Sequence, residues 1–159
     1  MKILIADDHA VVREGLKQIL SESSDMVVTA EASTGPEVLE KIGKDDFDLV
    51  VLDIAMPGRG GLDILKEIKN KKPRLPVLIL SMYPEEQYAV RVLKAGASGY
   101  MTKESAPHEL VKAIQQISKG KKYVSPSLAE KLALDLEITT GRPPHESLSD
   151  REYQVMCMI

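Results

Sequence analysis

Residues 47–61 read FDLVVLDIAMPGRGG. Leu49, Val50, Val51 and Leu52 run apolar without alternation, as in a strand covered on both faces of a parallel sheet, and Asp53 closes the run before a turn containing Pro57, Gly58, Gly60 and Gly61. Open α/β sheets bind ligands at the carboxyl ends of their strands, so Asp53 is a carboxylate set at the mouth of a sheet. Three more apolar runs end alike: MKILIADD reaches Asp7 and Asp8, PVLILS ends in Ser81, and ASGYMTK reaches Lys103. If these are strands of one sheet, three carboxylates, a hydroxyl and an ammonium share its carboxyl edge, which is the residue set of a metal-assisted phosphoryl site.

Outward from this stretch, strand-like and helix-like segments alternate. Residues 2–8 form the first strand, and in residues 9–21 (HAVVREGLKQILS) Val12, Leu16, Ile19 and Leu20 share a helical face. Val27 to Ala30 is a weaker strand. Ser33 or Thr34 then offers an N-cap, with Pro36 in the first turn and Val38, Leu39 and Ile42 as the buried stripe of a second helix. Beyond Asp53, Leu62, Leu65 and Ile68 repeat at helical spacing, and Lys69, Lys71 and Lys72 are expected to be a solvated last turn that complements the helix dipole. Residues 84–95 begin with Pro and two acids and stop at Gly96, a helix marked at both ends. Residues 98–103 are the fifth strand, and Ser105 is expected to cap a helix whose inner face is Leu110, Ala113, Ile114 and Ile117. Five such pairs with short links predict an α/β fold: a doubly wound five-stranded parallel sheet with helices on both faces.

A chain of 159 residues accommodates one such domain, residues 1–124, plus an appendage. In residues 125–147 a helical linker, SPSLAEKLALDLE, precedes a Gly/Pro/polar tether. Residues 148–159, LSDREYQVMCMI, resume helical spacing with Ser149 and Glu152 placed as a capping box, and the Val155, Met156, Ile159 stripe reads as the start of a truncated second domain. A formal net charge of −3 gives no general pull toward nucleic acid or anionic membrane. The single cysteine, Cys157, excludes an internal disulfide framework and points to a reducing, cytoplasmic compartment; no apolar run approaches a membrane span or a signal peptide.

Adjacent carboxylates repel by about 4 kcal/mol at 4 Å and an effective dielectric near 20, so a cation is needed to keep them ionised. Oxygen ligands at few positions suit Mg²⁺, and Lys103 would pair with an incoming phosphoryl group from the other side. Asp53, alone at its strand end, is the carboxylate best placed to attack phosphorus. His9 receives no catalytic role, because a hard cation prefers oxygen.

Four segments, MKILIADDHAVVREGL, VVLDIAMPGRGGLDIL, VLILSMY and GASGYMTKESAPHELVKAI, closely resemble the receiver domain of two-component response regulators. The resemblance implies a flavodoxin-like sheet in the order 2-1-3-4-5, and that Asp53 accepts a phosphoryl group from a sensor histidine kinase. It further implies that Asp8, Asp53 and the backbone carbonyl of Ala55 bind Mg²⁺, with Asp7 acting through water. Lys103 and Ser81 would be catalytic and Ser81 and Tyr100 the switch pair, and a change at the surface of the fourth helix, fifth strand and fifth helix would bias dimerisation or the docking of the tail. Met82, Ala55 and Tyr83 depart from the common pattern around the site, which bears on access and on phosphate lifetime. Residues 148–159 resemble the opening of a LuxR-type helix-turn-helix, which implies the NarL/FixJ subfamily and transcriptional output, with DNA contacted only through a part of that domain not in the sequence. The chain is then no turnover enzyme beyond phosphorylating and slowly dephosphorylating itself. Two rivals are a phosphohydrolase using an aspartyl phosphate, whose first strand would carry DxDxT where this one gives DDHAV, and a receiver-like scaffold indifferent to phosphate.

Overall fold

A computed structural model of the chain describes residues 1–56, 60–82 and 85–124, with the backbone alone for 85–88. The expected linker, tether and helix-turn-helix fragment, Cys157 among them, lie outside these residues, as does Tyr83. Ten elements alternate: β1 (Lys2–Ala6), α1 (Ala10–Ser21), β2 (Val27–Ala32), α2 (Gly35–Lys44), β3 (Leu49–Asp53), α3 (Gly61–Lys71), β4 (Val77–Ser81), α4 (Glu85–Lys94), β5 (Gly99–Thr102) and α5 (Ala106–Ser118). All strand pairs are parallel, as expected from the alternation, and the order is β2-β1-β3-β4-β5, the one the resemblance implies.

The unbroken apolar runs are explained by burial on both sides. Along β3, Val50 and Leu52 pack with Val38 and Ile42 of α2, Ile64, Leu65 and Ile68 of α3, and Ala89 and Val92 of α4. Their neighbours Leu49 and Val51 point the other way, into a second core with Leu16 and Leu20 of α1 and Leu110, Ala113, Ile114 and Ile117 of α5. The two-residue period of the pleat distributes one continuous apolar run between two cores. Edge strand β2 is only partly covered, which is why its sequence is weaker.

Local chemistry departs from expectation at three places. β1 ends at Ala6, so Asp7 and Asp8 stand in the turn beyond it, and β2 runs on to Ala32. Thr34 accepts the Glu37 amide at 3.3 Å as an N-cap, but Ser105 makes no side-chain cap. Its backbone is already helical, and Thr102 Oγ1 takes the Ser105 amide instead, at 3.3 Å. Lys69 does not belong to a solvated turn: its ammonium donates to the Leu75 carbonyl at 2.9 Å, and burial holds its pKa below the usual lysine range. Its stem lies beside Gly96, which ends the α4 segment at φ +108, a backbone conformation that favours glycine.

Candidate functional site

The parallel register brings the strand ends into one row. Asp53 pairs with Leu80, and the next amide, Ile54, donates to the Leu80 carbonyl at 3.1 Å, so Ser81 stands one residue past the level of Asp53. Ser81 pairs with Thr102, and its carbonyl takes the Lys103 amide at 2.8 Å. On the other side the Asp7 amide donates to Ala32 at 3.0 Å, which carries the β1 chain past its last pair in register with β2. Close packing follows the β3 turn: Gly61 donates its amide to the Ile54 carbonyl at 3.1 Å, and a Cβ at Gly61 would lie 2.4 Å from Ile54 Cα. Only glycine fits there.

Asp7 and Asp53 are held in the same way. Each accepts at its Oδ1 from the amide two residues on, Asp7 from His9 at 2.8 Å and Asp53 from Ala55 at 3.0 Å, the side-chain turn that aspartate favours at the end of a strand. Each then turns its Oδ2 toward Lys103 Nζ, at 2.9 Å for Asp7 and 3.1 Å for Asp53. The Asp53 contact is a hydrogen bond, whereas the Asp7 contact is an ion pair by distance without hydrogen-bond alignment. Both aspartates are 1% exposed, so the mouth at which the sequence sets Asp53 is closed over.

Burial dominates the electrostatics. It pushes the Asp53 carboxyl above its ordinary pKa; the Ala55 amide and Lys103 pull it down, and the charge of Asp7 adds to the rise. Lys103 feels the opposite balance: burial lowers its pKa, but the two carboxylates beside it, Asp7 and Asp53, together outweigh this and the net shift is upward. One ammonium therefore holds two buried carboxylates, and the third, Asp8, has no share of it.

Asp8 is partly exposed beside His9, whose Nδ1 lies 3.1 Å from Asp8 Oδ1 and 3.4 Å from Asp7 Oδ1. Asp8 Oδ1 and Asp7 Oδ2 are buried acceptors with no aligned donor. Three clustered carboxylates with one ammonium between two of them leave negative charge uncompensated, and a hard divalent cation is the partner that would satisfy several oxygens at once. The donor set therefore fits Mg²⁺.

The expected residues divide into two groups. Asp7, Asp8, Asp53, Ser81 and Lys103 gather at the carboxyl edge, with Ala55 exposed in the turn beside them. Tyr100 does not join them; it is wholly buried in the core shared with α2, α3 and α4, paired with Ile79 two residues below Ser81. Met82, next to Ser81, is 74% exposed. Sequence reasoning gave no part to Arg13, whose guanidinium reaches the Asp7 carbonyl, or to His9, which lies against the aspartates. Spacing along α1 puts Arg13 one turn above the Asp pair, but its reach to β2 is a contact between distant parts of the chain that carries no local signal.

The response regulator receiver domain model matches residues 3–115. The chain belongs to the response regulators. It is 35% identical over 160 residues to the response regulator GacA of Pseudomonas aeruginosa, an alignment covering all of this chain and 75% of that protein. It is 37% identical to the oxygen regulatory protein NreC of Staphylococcus epidermidis, covering all of this chain and 77% of NreC. Among solved structures, a LuxR-family two-component response regulator from Aurantimonas superposes with a TM-score of 0.78 at 35% identity, covering 84% of this chain and 96% of that one. RcsB of Salmonella enterica serovar Typhimurium, bound to promoter DNA in the presence of phosphomimetic BeF₃⁻, superposes at 0.76 with 28% identity, covering 96% of this chain and 76% of that one. This response regulator is thus of the LuxR/NarL type, a family of transcriptional regulators in which phosphorylation of an aspartate is the general mechanism and whose receiver domains generally bind Mg²⁺ in the acidic pocket. No described helix is long and apolar enough to cross a membrane.

Proposed function

We propose that Asp53 is the phosphoryl acceptor, that Asp8 and Asp53 with the Ala55 carbonyl hold Mg²⁺ while Asp7 assists through water, and that Lys103 and Ser81 are catalytic, contacting the oxygens of the group that Asp53 accepts. The observation that carries this reading is the shared ammonium: Lys103 lies on the Oδ2 atoms of both Asp7 and Asp53, at 2.9 and 3.1 Å. In the reaction an Asp53 oxygen forms a bond to phosphorus as the bond from phosphorus to the donor breaks, and the leaving imidazole of a kinase histidine, or acetate from a small donor, keeps the electron pair. Bound cation supplies charge neutralisation for the carboxylates and the phosphoryl oxygens. Lys103 keeps its proton throughout and exchanges an Asp53 oxygen for a phosphoryl oxygen. Ser81, buried at the next strand end, offers a hydroxyl to the same group, and Tyr100 reports the change through the α4–β5 face.

On this reading the chain acts on itself rather than turning over a separate substrate, in the cytoplasm where a sensor kinase donates the phosphate. Dimerisation through α4, β5 and α5 then brings DNA-binding segments together, and the RcsB relative seated on promoter DNA supports that output. Treating the protein with acetyl phosphate and Mg²⁺ should add one acid-labile phosphoryl group by mass spectrometry and increase the dimer fraction. Asp53→Asn should remove both effects; full labelling of that variant would reject Asp53 as acceptor.

A further inference from the structure

Asp7 is fixed from every side. Its amide is bound to Ala32, its Oδ1 to the His9 amide and its Oδ2 to Lys103, and its carbonyl takes a hydrogen bond from Arg13 Nη1 at 2.6 Å. That carbonyl belongs to the peptide unit whose nitrogen is Asp8's. A planar peptide held by its oxygen has its nitrogen direction set, and with it the starting direction of the Asp8 side chain. Asp8 has no comparable anchor among the described hydrogen bonds; the peptide behind it supplies one. Arg13 is itself anchored, because its Nε donates to Glu31 Oε1 on β2 at 3.0 Å, and Lys17 holds the other oxygen of Glu31 at 3.0 Å. The planar guanidinium meets its two partners at fixed angles, through Nε and Nη1.

We infer that Arg13 is a positioning residue for the cation site, which braces the Asp7–Asp8 peptide against Glu31 so that the Asp8 carboxylate stays turned into the pocket. This rests on the assignment of Asp8 as a cation ligand. Groups that orient metal ligands typically change affinity by about 10–100-fold when removed. Lys17 provides the control, since it pairs with Glu31 and Glu14 and, among the described residues, has no hydrogen bond or ion pair to the turn after β1.

The test is Mg²⁺ titration by calorimetry on the intact chain, together with hydrogen exchange of the His9 amide in metal-free protein. Arg13→Gln should weaken Mg²⁺ about tenfold or more and speed His9 exchange, while Lys17→Gln should leave both near wild type. Arg13→Lys keeps the charge but supplies no planar fork, so it should not restore affinity. Should Arg13→Gln fail to fold, Glu31→Ala, which removes the oxygen that anchors the guanidinium, should show the same loss in smaller degree. Wild-type affinity in Arg13→Gln, or in Glu31→Ala where it alone folds, overturns the inference, as does an equal loss in Lys17→Gln. Wild-type protein that binds no Mg²⁺ at all would instead overturn the cation assignment itself.

Discussion

The two edges of the sheet carry the same kinds of charge in opposite surroundings. At the carboxyl edge Asp7 and Asp53 are buried and share one largely covered lysine. At the amino edge Asp45, Asp46 and Asp48 face Lys71, Lys72 and Arg74 across a cleft of about 460 Å³, open to water. There Asp46 is fully exposed, and its ion pair with Lys72 is 3.8 Å long. Water screens the second set and is excluded from the first, so the same chemical groups are near-neutral for stability at one edge and strongly coupled at the other. Burial, more than the number of charges, decides which edge does chemistry.

The largest effect is expected from the lysine. Lys103→Met leaves two buried carboxylates without their cation, and breaking one side of a buried ion pair costs about 3–5 kcal/mol. Urea unfolding of the metal-free protein should show a loss of that order, and millimolar Mg²⁺ should recover part of it by placing charge in the same pocket. A loss below about 1 kcal/mol, within the range of surface pairs, would erase the distinction between the edges.

Gly61→Ala is expected to come next. Its Cβ would lie 2.4 Å from the Ile54 backbone, which cannot yield as a flexible side chain does. Overpacking of this kind costs about 1–3 kcal/mol, and the displaced turn should also weaken Mg²⁺ binding because Ala55 and Asp53 adjoin it. Unchanged stability with unchanged binding would mean that the turn after β3 is looser than its packing implies.

Much of this was legible beforehand, for reasons that also mark where reading stops. Unbroken apolar runs between capped amphipathic segments specify a buried parallel sheet, and a polar residue ending such a run must lie at one edge; Asp53, Ser81 and Lys103 follow from that alone. What each polar atom does there is not local. Lys69 reads as a solvated lysine because nothing near it in sequence announces the Leu75 carbonyl, and Ser105 reads as a cap because Thr102 is seen only when β5 ends. Arg13 reads as one more charge on α1 until β2 brings Glu31 beside it, 18 residues away. Tyr100 shows the reverse limit: its residue type and strand are plain in sequence, but its depth beneath Ser81 comes from the register of β4 with β5.

The smallest effect belongs to the amino edge, and it is the strictest control. Asp46→Ala removes a fully exposed carboxylate from a long ion pair, with no hydrogen bond of its own among the described contacts. Exposed pairs contribute about 0–1 kcal/mol and are weakened by salt, so the unfolding midpoint should barely move and should move less still at high ionic strength. Mg²⁺ affinity should equal that of wild type, because the substitution lies across the sheet from the pocket, well beyond a Debye length of about 8 Å at physiological salt. If Asp46→Ala instead weakened Mg²⁺ as Arg13→Gln is expected to, the two edges would be coupled through the strands between them, and burial at the carboxyl edge alone would no longer account for the site.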